Sequence, residues 1–369
     1  MTGPGAQVLQ RDGSVEPVEP VAGATSPHTV LSTRRGPAPA ARTPGLLGVM
    51  RYVPPLREAL PNALPDALPD APPPRAAGPA CDAWFAAGAT LRRGGSEAGS
   101  WASDGCFSYG ELSGTPSACA GDIETVAQSL YGALFAALAE AGTPHPLRLW
   151  NYLPRINECS EGLERYRRFN AGRQQAFVDA GRPAFEGAPA ACALGSAEGA
   201  TVLRFLAARD APRALENPRQ VSAYRYPAQY GARTPSFSRA ALADAGGGRV
   251  ALFVSGTASI VGHESVHAGD VRAQVGETVR NLRAMVAQAN EQTRAAAHAH
   301  DAAFALERLS LVVYLRHAHD RATALAQLMQ SLPAPAAEVG PPIVLQADIC
   351  RSDLLVEIEG HAFTPGSLL

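Results

Sequence analysis

The chain contains no lysine: all 32 of its basic residues are arginine. An anionic ligand must therefore be held by guanidinium groups, which fork naturally onto carboxylates. The same GC-rich coding bias accounts for the missing lysines and for the many Ala, Gly and Pro residues. The six cysteines (Cys81, Cys106, Cys119, Cys159, Cys192 and Cys350) form no CxxC pair, which argues against structural zinc of the usual spacing. No apolar run approaches the ~20 residues of a membrane span. The opening MTGPGAQVLQRDGSVEP has no apolar segment, so no signal peptide is expected. With a net charge of -2, neither nucleic acid nor an anionic membrane is an expected partner. A cytoplasmic protein with free thiols is the expectation. What is present is 369 residues, 46% hydrophobic, enough for two domains or one large one.

Residues 1–80 read as a separate region rich in Pro and Ala. Its first thirty or so residues are expected to be disordered. Gly45–Val53 (GLLGVMRYV) alternates as an early strand, and Pro61–Pro74 reads as a stiff linker or surface loop. Residues 81–245 form a first α/β unit. Strands are expected near Ala83–Phe85, Gly105–Tyr109, Leu147–Leu153, Ala200–Ala207 and Val221–Tyr226. Asp122–Ala141 predicts a helix, with Val126, Leu130, Leu134 and Leu138 on one face, Asp122 as N-cap and Gly142 as stop. A second helix is predicted over Glu161–Ala180. Residues 246–369 have the clearest rhythm: strand 249–255, helix 270–290, strand 309–316, helix 320–332, then strands 343–348 and 354–359. Strands and helices in this order predict an α+β fold of mixed sheets with helices packed on one face. The first unit shows a looser version of the same order, so a pseudo-repeat is plausible although no sequence identity between the halves is visible.

His263-Glu264-Ser265-Val266-His267 matches HExxH literally. That motif binds zinc only on a helix, and Gly262 and Gly269 bracket a loop instead, with no third ligand following. A turn leading into the helix capped by Asp270 is the better reading. Cys350 alone reads as a small buried hydrophobe, since no Cys-His-Asn pattern accompanies it. In Leu354–Gly360, alternation puts Glu357 and Glu359 on one strand face and Val356 and Ile358 on the other. That face is either solvated or lines a pocket, where a buried carboxyl would have a raised pKa and could donate a proton. Periodicity does not separate Glu357 from Glu359. Tyr224–Arg239 packs three tyrosines and three arginines into a loop shaped by two prolines and a glycine; the alternatives are an anion-binding loop and an arginine-rich surface loop. Arg155, Tyr166, Asn170 and Arg173 form a similar upstream cluster.

Arg249–Phe363 resembles the reactive-intermediate deaminase superfamily, through Val254-Ser255-Gly256-Thr257, Gly269–Gln274 with Asn281-Leu282, Val312–Leu315 and Val356–Glu359. This implies a sheet backed by two helices, often assembled as a trimer, so a monomer or homotrimer is expected. The imine deaminases of that superfamily carry an arginine on the strand before the last. Here that strand reads Pro341–Gln346 without one, which argues against deamination. From about Gly142 onward the chain is more specifically similar to the chorismatases, in RLWNYLPRIN, ERYRRFNAGR, SAYRYPAQYG, SGTASIVGHESVHAGD and ICRSDLLVEIEG.

That second resemblance implies an enzyme acting on chorismate without metal or cofactor. Glu357 matches the family's acid. Cys350, seven residues earlier, matches the cysteine of members that form 3-hydroxybenzoate; other members hydrolyse chorismate to a dihydroxycyclohexadiene carboxylate, and some form 4-hydroxybenzoate. The implied chemistry is protonation of the vinyl-ether methylene by Glu357. The neighbouring ring hydroxyl then displaces the ether, and an epoxide-like intermediate aromatises with help from Cys350. Tyr166, Arg173, Tyr224, Tyr230 and Arg233 are the expected substrate-binding residues, with the backbone of Gly256, Thr257 and Ala258. An imine deaminase or a non-catalytic ligand-binding module are the competing classes.

Overall fold

The structure, a computed structural model, describes residues 29–51, 81–87, 90–114, 122–160, 162–295 and 303–368. The expected disorder of the first residues and the linker at 61–74 lie outside these.

Two seven-stranded sheets dominate, the second counting the short strand Thr293–Ala295, which pairs with the end of Val356–Leu368. The first contains β4 (Arg92–Ser96), β5 (Gly99–Ser103), β6 (Phe107–Ser113), β7 (His145–Pro154), β8 (Ala190–Ser196) and β9 (Val202–Ala208), with helices α1 (Ile123–Ala141) and α2 (Arg165–Asp179). The second contains β10 (Arg213–Leu215), β11 (Ala240–Gly246), β12 (Arg249–Ala258), β13 (Ser310–Leu315), β14 (Ile343–Gln346) and β16 (Val356–Leu368), with α3 (Val271–Glu291) and α4 (Arg321–Ser331). A short β15 (Asp348–Ile349) belongs in sequence to the second unit but pairs with β8 of the first.

The strand orders coincide. The first sheet runs β4-β5-β6-β9-β7-β8, and the second runs β10-β11-β12-β16-β13-β14. In each, the last two strands are parallel and the fourth strand in the order is antiparallel to both neighbours. The helices also occupy matching places in the order. The chain is thus a structural repeat whose halves share topology.

Local signals explain the helices. Asp122 accepts from Glu124 N, and Gly142 closes α1 at φ 72, a left-handed conformation cheap only for glycine. Asp270 caps α3 through Ala273 N. Each sheet buries one face under its own helices. The other faces meet in a shared core, joined by a three-stranded sheet of β1 (Val30–Gly36), β2 (Leu46–Arg51) and β3 (Cys81–Ala87). Trp84 of β3 sits at its centre, near Trp150, Phe253 and His361. The Arg35–Asp82 ion pair at 2.8 Å, with Arg35 also donating to Leu311 O, ties this small sheet to β13.

One strand expectation is corrected. Val221–Tyr226 is not a strand but leads into a 3-10 turn at Ala223–Arg225. Pro227 ends it, lacking an N–H for a ladder, and the Val221 carbonyl accepts from the Arg239 side chain instead of a neighbouring strand.

Candidate active site

β16 runs through the middle of the second sheet. Val356 and Ile358 point into the helix-covered core, while Glu357 and Glu359 face the first sheet. Both carboxyls are 3% exposed, so neither lies on a solvated strand face. Their surroundings distinguish them. Glu359 forms an ion pair with Arg148 of β7 and accepts from Trp150 Nε1 (3.1 Å) and Tyr314 OH (2.9 Å). Glu357 lines a cavity, and the Cys350 thiol lies 4.0 Å from its Oε2.

Burial, followed by the charge of Glu359, pushes the Glu357 carboxyl up to about 8, against the opposing pull of Arg148 and Arg239. It is therefore protonated at neutral pH, the state required of a proton donor. Burial, followed by the charge of Glu357, pushes the Cys350 thiol up to about 12, so it is a neutral thiol near neutral pH.

Room for the carboxyl comes from an irregularity in β12. Its pairing with β16 slips between Val254 and Thr257, and Gly256 sits in the slip. A Cβ at Gly256 would overlap Glu357 Oε1 and lie 3.0 Å from Cys192 Cβ. Ser255 fixes the irregular strand by donating to Ser238 O (2.6 Å) and accepting from Ala191 N (3.0 Å), which also ties the two units together.

The cavity, about 270 Å³, is just under the ~300 Å³ at which small-molecule sites usually begin, a size for one compact ligand. Three arginines, Arg167, Arg239 and Arg351, line it, beside the acidic Glu164 and Asp353. Arg239 donates to Tyr226 OH (2.6 Å) and Val221 O (3.0 Å), and among the described residues its buried Nε has no hydrogen-bond partner. Arg351 donates to His263 O (2.9 Å) and Ser265 Oγ (3.2 Å) and lies over the Tyr226 and Tyr230 rings; among the described residues its buried Nη2 has no hydrogen-bond partner. Guanidinium groups lining a cavity suit a carboxylate ligand, onto which they fork.

The segment carrying Cys350 and Arg351 is held from behind. Arg316 donates to the carbonyls of Ile349, Arg351 and Leu354 and to the side chains of Asn157 and Asp348. Gln274 donates to Asp353 O and accepts from Leu355 N. The HExxH segment forms a short hairpin, Ile260–Val261 with Glu264–Ser265, not a helix. Its His263 carbonyl accepts from both Arg351 and Tyr230. Among the described residues no three His, Cys, Asp or Glu side chains converge as metal ligands.

Of the residues singled out in the sequence, Glu357, Cys350, Tyr166, Tyr230, Gly256 and Ala258 share this cavity. Arg173, Tyr224, Arg233 and Thr257 do not line it. Arg173 is buried behind the wall, donating to Asn170 and lying over Phe169. Tyr224 packs against Arg225 outside the cavity. Arg233 is exposed and pins its loop to α2 through Gln174 at 3.0 Å. Thr257 turns back to Ser255 O, because the strand parity that brings Gly256 and Ala258 to the cavity sends its side chain away. Within the Tyr224–Arg239 loop the lining residues are Tyr226 and Arg239 in place of Tyr224 and Arg233, and Arg351 lines the cavity unanticipated. The last follows Cys350 directly, and the absence of lysine made every arginine beside an expected catalytic residue a candidate anchor.

Residues 82–207 match the family model described as "Chorismatase FkbO/Hyg5-like, N-terminal". A 3-hydroxybenzoate synthase from Streptomyces hygroscopicus is 37% identical over 281 residues, covering 70% of this chain and 79% of that protein. A chorismatase from Streptomyces rapamycinicus is 40% identical over 237 residues, 63% of this chain and 68% of its own. Among solved structures, a chorismatase crystal structure aligns over 90% of this chain and 98% of its own, with a TM-score of 0.72 at 29% identity.

Proposed function

The chain belongs to the chorismatase family, and from that membership we propose that it converts chorismate into 3-hydroxybenzoate and pyruvate in the cavity under Glu357. The observation that carries this is the pairing of a buried, neutral carboxyl with a neutral thiol at 4.0 Å, in a cavity that Arg167, Arg239 and Arg351 also line.

Chorismate brings two carboxylates, a vinyl ether and a ring hydroxyl. Arg239 and Arg351 are placed to take carboxylate oxygens, with Tyr166, Tyr226 and Tyr230 as further lining. Glu357 then gives its proton to the vinyl-ether methylene, and the resulting carboxylate faces the oxocarbenium ion. The neighbouring ring hydroxyl displaces the ether and pyruvate leaves. The epoxide-like intermediate opens and aromatises beside Cys350, and the proton released from the ring restores the acid. All the atoms of chorismate are divided between the two products, so the balance needs no oxidant, reductant or net water.

Both units of one chain line the cavity: Tyr166 comes from the first, and Glu357, Gly256 and Arg351 from the second. The test is to incubate the pure protein with chorismate, without added metal or nucleotide, and to assay pyruvate and aromatic acids. Equal yields of pyruvate and 3-hydroxybenzoate are expected; no pyruvate would end this reading, and a dihydroxycyclohexadiene carboxylate in place of the aromatic acid would mark the hydrolytic reaction instead.

A further inference from the structure

We propose that Glu359 is a positioning residue that acts through Glu357, its fixed carboxylate holding the proton on the acid until the substrate takes it. This rests on the chemistry proposed above. Glu359 does not line the cavity, so it cannot touch the substrate. It sits two residues along the same strand face, a spacing of roughly 6–7 Å in an extended chain. Its oxygens accept from Arg148, Trp150 and Tyr314, a donor set suited to an ionised carboxylate. A like charge at that range disfavours a second ionised carboxyl beside it.

The other groups facing Glu357 come from five places. Arg148 on β7 and Arg239 ahead of β11 favour its ionised form; Cys192 on β8, Tyr166 on α2 and Cys350 after β15 are neutral groups. Arg148 is already paired with Glu359, which offsets much of its pull. The pair thus works as a unit, with its negative end on the strand that carries the acid. The same negative end opposes any lasting ionisation of Glu357 after proton transfer, and so favours its reprotonation during aromatisation.

The test is the pH dependence of kcat/KM, which reports the free enzyme's essential groups, alongside an infrared titration of the Glu357 carboxyl. The carboxyl band is identified as the one lost in Glu357→Gln. Wild type should lose activity as pH rises through about 8. Glu359→Gln should lower both the alkaline limb and the carboxyl titration by about one pH unit or more, a tenfold change in the protonation equilibrium per unit. Glu359→Asp should keep the wild-type limb. Tyr314→Phe, which removes a donor from Glu359 while preserving the packing, should move the limb upward. Opposite shifts in these variants are not expected of a merely structural residue. An unmoved limb and band in Glu359→Gln would overturn the proposal; should that variant not fold, an unmoved limb and band in Tyr314→Phe would do the same. If wild type turns over no chorismate at any pH, the proposed function fails, and the infrared titration still decides the role of Glu359.

Discussion

Glu357→Gln should make the protein more stable relative to wild type as the pH is raised. A carboxyl whose folded pKa lies near 8, against an ordinary 4.5, binds its proton more tightly in the folded state than in the unfolded one. Its contribution is fully present below about 4.5 and is lost as pH rises through about 8, because the folded protein must then lose the proton or hold a buried charge. At ~1.4 kcal/mol per pH unit, the full loss is on the order of 5 kcal/mol, an upper figure because the surroundings relax around the charge. Glutamine keeps the shape and cannot ionise, so it escapes this loss. It carries its own fixed cost as a buried amide with imperfect partners, and that cost does not vary with pH. The informative quantity is therefore the difference in melting temperature between variant and wild type, measured by differential scanning fluorimetry from about pH 5 to pH 9. The difference should rise steadily in favour of the variant, by several degrees across the range. A difference that stays flat would show that Glu357 is ionised at neutral pH, and the proton-donor role would fall with it.

Gly256→Ala puts a methyl group against the Glu357 carboxyl and Cys192; a displacement of the acid by ~1 Å should cost roughly a hundredfold in turnover, with a small loss of thermal stability. Full activity in a coupled pyruvate assay would show that the acid tolerates the shift. Cys350→Ala should keep pyruvate release but move the aromatic product away from 3-hydroxybenzoate, as read by chromatography; an unchanged product distribution would remove Cys350 from the mechanism. Arg351→Met should raise KM for chorismate by about tenfold to a hundredfold, the range for losing a charged hydrogen bond, with a smaller effect on kcat. An unaltered KM would place the substrate carboxylate elsewhere.

Elements with local signals were legible in the sequence. Helix α3 carries its own cap in Asp270 and an unbroken apolar face, and the structure places it over Val271–Glu291. β8 and β11 were missed because they are built largely from Ala and Gly, residues of weak strand propensity that serve here to let packed layers approach closely. β16 was read as six residues, yet runs to Leu368, past the Gly360, Pro365 and Gly366 that disguise its second half. The repeat shows in strand order and not in residue identity, because many apolar sequences satisfy the same alternation.

At the site, alternation alone could place Glu357 and Glu359 on one face and no more. What separates them is Arg148, 211 residues away in sequence, and Trp150 beside it, a pairing that only the tertiary fold creates. The choice among tyrosines failed for a related reason. Tyr224 and Tyr226 share a turn with no sheet periodicity to orient them, and Tyr226 is selected by contact with Arg239 and Arg351.

The most direct measurement is the yield of pyruvate and 3-hydroxybenzoate from chorismate, with wild-type protein and Glu357→Gln compared at equal concentration near neutral pH. Wild type should release the two products in equal amounts and the variant neither above the uncatalysed rate. A variant that retains most of the wild-type turnover would contradict the assignment of Glu357 as the proton donor.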